Sequence, residues 1–230
     1  MIDLKKIPGT NFKKVSGILC CLFLINQGLS AHPVDGEFAD LSKTEVAFLY
    51  LALGYKHILP LGLDHILFVL SLFLLSPKVK PVLWQASAFT LAHTITLGLT
   101  MYKIIIPPVK IIEPVIALSI MYVALENIFF AGKLKKTRIG IVFLFGLVHG
   151  MGFASVLSEI GLPQNAYLSS LIMFNIGVEL GQVTVILAAF FLLAKWFSNK
   201  PYYRSRIVIP ISAFIALVSL YWAIERMFFA

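Results

Sequence analysis

The stretch His57-Ile-Leu-Pro-Leu-Gly-Leu-Asp-His-Ile-Leu-Phe-Val-Leu-Ser-Leu-Phe-Leu-Leu75 decides how the rest of the chain is interpreted. It is almost entirely apolar and is long enough for a helix to cross a lipid bilayer. It nevertheless contains Asp64 and His65. An ionisable group in hydrocarbon costs roughly 2 kcal/mol or more, so such groups in a predicted span indicate a functional site. The stretch therefore predicts a membrane protein with a polar site inside the membrane.

Composition supports a membrane protein throughout the chain. Of the 230 residues, 59% are hydrophobic and only 13% are charged, which is too little polar surface to cover a soluble domain. The lipid bilayer is therefore the predicted surrounding, and an all-α polytopic helix bundle is the predicted fold. Six segments have spanning length: residues 57–75, 83–102, 113–131, 139–157, 168–196 and 207–228.

The N-terminal region has the pattern of a secretory signal. Residues 1–31 combine basic residues, a short apolar run and Ala31 at a cleavage point. We expect cleavage, with an uncleaved seventh helix as the alternative. Residues 32–56 are then a periplasmic segment with an interfacial helix, and residues 57–230 are the six-helix transmembrane domain. Both cysteines, Cys20 and Cys21, lie in the signal, so the mature chain has no thiol ligand.

The distribution of Lys and Arg predicts the orientation of the helices. Basic residues concentrate in three of the loops, around Lys78, Lys135 and Arg204, and positively charged loops stay in the cytoplasm. Both mature termini are therefore expected in the periplasm, and the protein in the bacterial cytoplasmic membrane as a multi-pass protein. The positive net charge reflects this topology and predicts no nucleic-acid partner.

Five ionisable residues are predicted to meet near the middle of the bilayer. Asp64 and His65 lie within the first span, and His93, His149 and Glu179 lie near the middle of three others. Imidazole and carboxylate groups together suit nickel, cobalt or zinc. We expect the metal to be a substrate, with no tightly bound cofactor. Glu179 has two possible roles, as a fifth ligand or as the group that orients a histidine.

Other polar residues extend this set towards both membrane surfaces. On a continuous helix His57 shares a face with Asp64 at the outer end, because seven residues make almost two turns. His57 is thus a predicted outer relay and Glu126 an inner one. The residues of this predicted pathway are His57, Glu126, Asn127, Asn175 and Gln182. The alternative for His57 and Glu126 is that they lie near the span ends and extend to the membrane surface. For His93 and His149 the alternative is an interhelical hydrogen bond.

Two similarities within the chain suggest an internal repeat. Residues 116–131 and 215–230 align without a gap, pairing Tyr122 with Tyr221 and Glu126 with Glu225. Gly62-Leu-Asp-His65 also resembles Gly146-Leu-Val-His149. Two three-helix halves with opposite orientations make an inverted repeat, which is common among transporters with a midplane substrate site.

The ordered motifs resemble the HupE/UreJ membrane proteins over about residues 32–182. The resemblance implies a nickel or cobalt permease, with the His and Asp of the first span as the metal signature. Six residues separate His57 from Asp64, and this spacing resembles a second branch of the family with the pattern His-Ile-Leu-Pro-x-Gly-Leu-Asp-His-Ile-Leu-Phe. The resembling motifs lie in residues 57–68, 89–97, 113–127, 145–154 and 174–182.

The sequence thus predicts transmembrane transport of a divalent transition metal, most simply nickel or cobalt, and no enzyme activity. One alternative is an intramembrane zinc hydrolase, since three histidines and an acid can hold a catalytic zinc. The chain, however, has no HExxH and no Gly-x-Ser-Gly motif. The other alternative is a non-transporting membrane assembly subunit. A homo-oligomer, a metalloenzyme-maturation partner and the source of energy are left open.

Overall fold

The computed structural model describes residues 42–130, 137–160, 162 and 166–229, and within these ranges every regular element is a helix. A π-helical turn at Phe190–Ala194 continues the helix that begins at Tyr167 as far as Phe197, and another at Arg204–Val208 leads into the helix that begins at Ile209. The helices are α1 (Lys43–Ile58), α2 (Leu63–Leu75), α3 (Val79–Met101), α4 (Val109–Phe129), α5 (Arg138–Ile160), α6 (Tyr167–Ala189) and α7 (Ile209–Phe228).

Helix α1 begins and ends for reasons that are visible in the sequence. Ser42 and Glu45 form a capping box, in which the Ser42 side chain accepts a hydrogen bond from the Glu45 amide and the Glu45 carboxylate accepts one from the Ser42 amide. Helix α1 ends at Ile58, two residues before Pro60, which has no amide hydrogen to continue the helix. Its buried face consists of Val46, Tyr50, Gly54 and Ile58.

The chain turns sharply between α1 and α2, whose axes differ by 67°. The Leu59–Pro60 peptide bond is cis, and a Cβ atom on Gly62 would overlap the His57 carbonyl, so this tight turn needs a glycine. The prediction of one continuous helix over residues 57–75 is therefore wrong. His57 and Asp64 lie on different helices and do not share a helix face.

Within the described residues, four helices are long and apolar enough to cross a membrane, and the bent pair α1–α2 counts as a fifth if it forms one broken span. Helix α3 corresponds to the predicted span 83–102 but is less apolar than these four helices, because it contains Gln85, Thr90, His93 and Thr96. The described chain is therefore an all-helical protein of membrane character. The predicted signal peptide, residues 1–31, lies outside the described residues.

Two pairs of helices pack with their backbones in contact. In the α1–α6 pair, a Cβ on Gly54 would overlap the Phe174 carbonyl, and one on Gly177 would overlap the Leu51 carbonyl. In the α3–α5 pair, Gly146 and Gly150 lie in the same way against the carbonyls of Phe89 and His93. Small residues at such contacts allow membrane helices to approach closely.

The third pair, α4–α7, is joined by polar groups at both ends. Arg204 donates to the carbonyls of Asn127 and Ile128 at 3.0 and 2.8 Å, which satisfies two acceptors at the end of α4. At the opposite end, Arg226 donates to the Glu113 carbonyl at 3.4 Å. Helix α2 packs against α4 and α6, and its N-terminus faces the space between the pairs.

Candidate metal centre

Three histidine side chains from three helices meet in the interior. His57 is in the last turn of α1, His65 is in the first turn of α2, and His93 is in the middle of α3. One ring nitrogen from each lies within 4.8 Å of the others. The turn at residues 59–62 makes this possible, because it bends the chain by 67° between two histidines that are close in sequence.

His149 on α5 extends the group to four imidazoles. Its ring centre lies 5.1 Å from that of His65, which is itself 4.6 Å from His57 and 5.9 Å from His93. His149 is not within the tightest group of three, but it borders the same space. We call these four residues the histidine cluster: His57, His65, His93 and His149.

Each ring of the histidine cluster has a buried nitrogen without a hydrogen-bond partner among the described residues. These atoms are Nε2 of His57, His65 and His93, and Nδ1 of His149. An unsatisfied buried polar group costs about 1–3 kcal/mol, and most native proteins avoid it. Four such atoms on adjoining rings, three of which bring ring nitrogens within 4.8 Å of one another, indicate a ligand-binding site. Imidazole nitrogens in this number suit a transition metal.

Asn175 determines which nitrogen of His93 carries the proton. The Asn175 side-chain amide donates to the Leu171 carbonyl at 2.8 Å, so its oxygen is the atom that faces His93. That oxygen lies 3.2 Å from His93 Nδ1 and can only accept. Nδ1 is therefore protonated, and Nε2 presents a lone pair to the cluster.

Ser119 has the same effect on His149. The Ser119 hydroxyl donates its single hydrogen to the Ile116 carbonyl at 2.7 Å, so its oxygen accepts from His149 Nε2 at 3.0 Å. The lone pair of His149 is then on Nδ1, the atom without a partner. Two of the four rings are thus held as neutral tautomers with a free lone pair, which is the state that binds a metal.

Aromatic side chains enclose the cluster. Phe153 lies against His57 with ring centres 3.7 Å apart, and Phe89 lies 4.9 Å from His149 and 5.7 Å from His65. Phe68 and Phe174 complete the enclosure at 5.4 Å from His149 and 5.7 Å from His57. These rings limit water at the site, so charges act there over longer distances than in solvent.

Asp64 is adjacent to His65 in the chain but has a different partner. Both of its carboxylate oxygens accept from Arg226 of α7, at 2.7 and 3.1 Å. This is a two-point ion pair, with both side chains about one-fifth exposed (22% each). The structure therefore places Asp64 beside the histidine cluster, in contact with an arginine.

Glu179 and Gln182 lie on a polar contact between α3 and α6, on the side of α6 that also carries Asn175. Glu179 accepts from Ser87 at 2.6 Å, and its other oxygen is buried without a partner among the described residues. The Gln182 oxygen accepts from Thr90 at 3.3 Å. Glu179 and Gln182 therefore contact the part of α3 that precedes His93. Asn175 contacts the cluster itself.

The other two predicted pathway residues lie near the end of α4. Glu126 pairs with Arg138 at 3.5 Å, and the Arg138 side chain is almost completely buried. Asn127 donates to the Ser71 carbonyl at 2.9 Å and to the Ser212 hydroxyl at 3.2 Å. Both residues therefore join helices at the end of the bundle opposite Arg226.

Two residues at the site were not singled out from the sequence. Among the described residues Arg226 is the charged side chain that bonds Asp64, and its signal in the sequence was an arginine inside the mostly apolar last span. Ser119 gave no signal, because a serine in a membrane helix commonly bonds its own backbone. His57 was assigned to the pathway and lies in the cluster.

A family model described as HupE / UreJ protein matches residues 35–226. The chain therefore belongs to the HupE/UreJ family, which is linked to nickel or cobalt uptake or to urease and hydrogenase maturation, and whose members are generally transporters or accessory proteins. No curated protein and no solved structure gives a significant match.

Proposed function

We propose that this protein carries a divalent transition metal across the bacterial cytoplasmic membrane and that the histidine cluster is its binding site. The observation that carries the proposal is the meeting of three histidine rings, whose nitrogens lie within 4.8 Å of one another, with His149 beside them. Each of the four rings has a buried nitrogen without a hydrogen-bond partner in the part of the chain that the structure describes. Membership of the HupE/UreJ family also supports a role in metal transport.

The chemistry of the site favours nickel or cobalt, with zinc as a further substrate. Imidazole nitrogen is a common ligand for all three ions, whereas Mg²⁺ and Ca²⁺ prefer oxygen. The mature chain as predicted has no thiol ligand, which disfavours Cu(I). The ion in this proposal is cargo, so the site must release it as well as bind it.

Each residue of the predicted site has a role in the proposal. His65, His93 and His149 contact the metal together with His57. Asp64 contributes a negative charge beside the cluster, where it bonds Arg226. The contacts of Ser87 and Thr90 with α6 suggest that the metal leaves the cluster between α3 and α6, past Gln182 and Glu179. Glu126 is an inner relay in this scheme, which requires its pair with Arg138 to open.

The proposed topology places the N-terminal end of the mature chain and Ala230 in the periplasm, and the loops that contain Lys78, Lys135 and Arg204 in the cytoplasm. Because α3 begins and α6 ends near cytoplasmic loops, the polar contact between these helices leads from the histidine cluster towards the cytoplasm. Metal transport in the proposal is therefore inward.

We also propose that α4 and α7 are equivalent parts of an inverted repeat. In the alignment that pairs Tyr122 with Tyr221, Glu113 pairs with Ser212 and Asn127 pairs with Arg226. Asn127 donates to Ser212, and Arg226 donates to Glu113. Such reciprocal contacts are expected when a two-fold axis relates two helices.

A second correspondence supports the repeat. Gly54 of α1 lies against the Phe174 carbonyl of α6, and Gly146 of α5 lies against the Phe89 carbonyl of α3. Each glycine precedes a cluster histidine by three residues, in Gly54-Tyr-Lys-His57 and Gly146-Leu-Val-His149. These contacts make His57 the counterpart of His149, a role that the sequence similarity had assigned to His65.

Metal flux into proteoliposomes tests the proposal. Purified protein reconstituted into liposomes with a nickel-sensitive dye inside should give a flux that His65→Ala removes. The matched control is Glu225→Gln, which changes an exposed polar group on α7 outside the cluster. Bound nickel without flux would instead favour the assembly subunit or the hydrolase, and lipid or peptide turnover by the zinc form would separate these two.

A further inference from the structure

Asp64 and His65 point to different neighbours although they are consecutive. Successive residues on a helix are rotated by about 100° about its axis. His65 faces His57, His93 and His149, and Asp64 faces α7. A side chain on this second face is not directed at the space between the rings.

Both oxygens of Asp64 are already engaged. Arg226 donates to one oxygen from Nη1 at 2.7 Å and to the other from Nη2 at 3.1 Å. The two-point geometry is the strongest arrangement of this ion pair. Arg226 is held in place by a further bond to the Glu113 carbonyl at 3.4 Å and by Trp222, whose ring centre lies 5.5 Å from its guanidinium carbon.

Arg226 without Asp64 would oppose a divalent cation at the cluster. Arg226 bonds Asp64, which directly precedes the cluster residue His65, so its charge lies beside the site. The four rings supply no negative charge. At an effective dielectric of about 20, a single positive charge within about 10 Å of a divalent ion lowers the affinity for that ion by about 100-fold or more.

We propose that Asp64 acts on the metal site through Arg226: it neutralises that arginine so that the neutral histidine cluster can accept a divalent cation, and it is not itself a metal ligand. The inference rests on the proposed function, because it assigns a charge-compensating role for the same site. It also makes Arg226 a residue that determines how much positive charge the site tolerates.

The test is a charge-swap cycle in detergent-purified full-length protein, with nickel affinity and thermal unfolding measured on each variant. The variants are Asp64→Asn, Arg226→Gln and the double change, which removes both charges and leaves an uncharged amide at each position. Asp64→Asn should weaken nickel binding about 100-fold, since it leaves Arg226 uncompensated. The double variant should recover to within about tenfold of wild type, because both charges are gone.

Three other results would overturn the inference. A double variant as weak as Asp64→Asn would make Asp64 a ligand. Unchanged nickel affinity in all three variants, with only the unfolding temperature lowered, would reduce the pair to a structural contact. Weaker binding in Arg226→Gln would contradict it too, because an uncompensated Asp64 should attract the cation.

Two further variants separate this inference from the proposed function. Wild-type protein should bind nickel and His65→Ala should not. No binding by the wild type, or binding by His65→Ala, would refute the metal site itself and the inference with it. Glu225→Gln removes a neighbouring exposed carboxylate and should leave affinity unchanged. A loss in Glu225→Gln equal to that in Asp64→Asn would mean that any nearby negative charge matters, which overturns the specific role of Asp64.

Discussion

Asp64 and His65 are neighbours in the chain, but they belong to two regions that differ in whether their polar atoms have hydrogen-bond partners. The histidine cluster contains four buried nitrogens without partners among the described residues. In the Asp64–Arg226 pair, by contrast, both carboxylate oxygens accept a hydrogen bond from the arginine. A buried atom without a hydrogen-bond partner therefore distinguishes the groups that can bind an ion from the groups that support them. Proximity in sequence does not.

The largest expected effect comes from removing a ring of the cluster. His93→Ala should lower nickel affinity by more than about 100-fold, because losing a ligand costs more than losing a supporting contact. Isothermal titration of detergent-purified protein with nickel measures it, with Glu225→Gln as the control. Wild-type affinity in folded His93→Ala would place the metal elsewhere.

A smaller effect is expected when the group that orients His93 is changed. Asn175→Leu removes the acceptor for His93 Nδ1, so the ring loses its fixed tautomer, and affinity should fall about 10- to 100-fold. Asn175→Asp keeps an oxygen at that place and should lose less. If Asn175→Leu and Asn175→Asp behave alike, the hydrogen bond does not control the ring.

The position of His57 depends on the contact between α1 and α6. Gly54→Ala places a methyl group on the Phe174 carbonyl, so α1 must shift and carry His57 away from the other rings. We expect a loss of roughly tenfold in nickel affinity and a lower unfolding temperature. Gly140→Ala is the matched control, since a Cβ there meets nothing within 4 Å. Equal affinities in the two variants would remove His57 from the binding set.

The smallest effect on binding is expected at Glu179. Its bond to Ser87 places it on the α3–α6 contact and not among the rings, so Glu179→Gln should change nickel affinity by less than about tenfold. The same variant should slow flux in proteoliposomes if the carboxylate helps the ion to leave. A loss of affinity as large as that of His93→Ala would make Glu179 a ligand.

Much of this architecture could be predicted from apolar segment lengths alone. The segments at residues 113–131, 139–157, 168–196 and 207–228 correspond to helices with the composition of membrane spans. The segment at 57–75 was misinterpreted because hydropathy does not register a break inside an apolar run. Pro60 was the visible signal, and it does end a helix there.

The candidate site was predictable only as a set of residue types. Buried histidines are costly enough to stand out in a sequence, so His65, His93 and His149 could be found. Asn175 could be predicted as a polar residue of the pathway but not as the partner of His93. The roles of Ser119 and Arg226 could not be predicted, because they depend on contacts between distant segments. Asp64 shows the limit most clearly, since only the position of α7 reveals that its oxygens face an arginine.

The glycine contacts have a consequence for movement. Helices whose backbones touch cannot slide without separating, so α1–α6 and α3–α5 each behave as one stiff body. His57 belongs to the first body, and His93 and His149 belong to the second. An ion held by rings from both bodies is a removable crosslink between them. Under the proposed function, occupancy of the site and the separation of the two bodies would be thermodynamically linked, so a separation of the bodies would weaken binding of the ion.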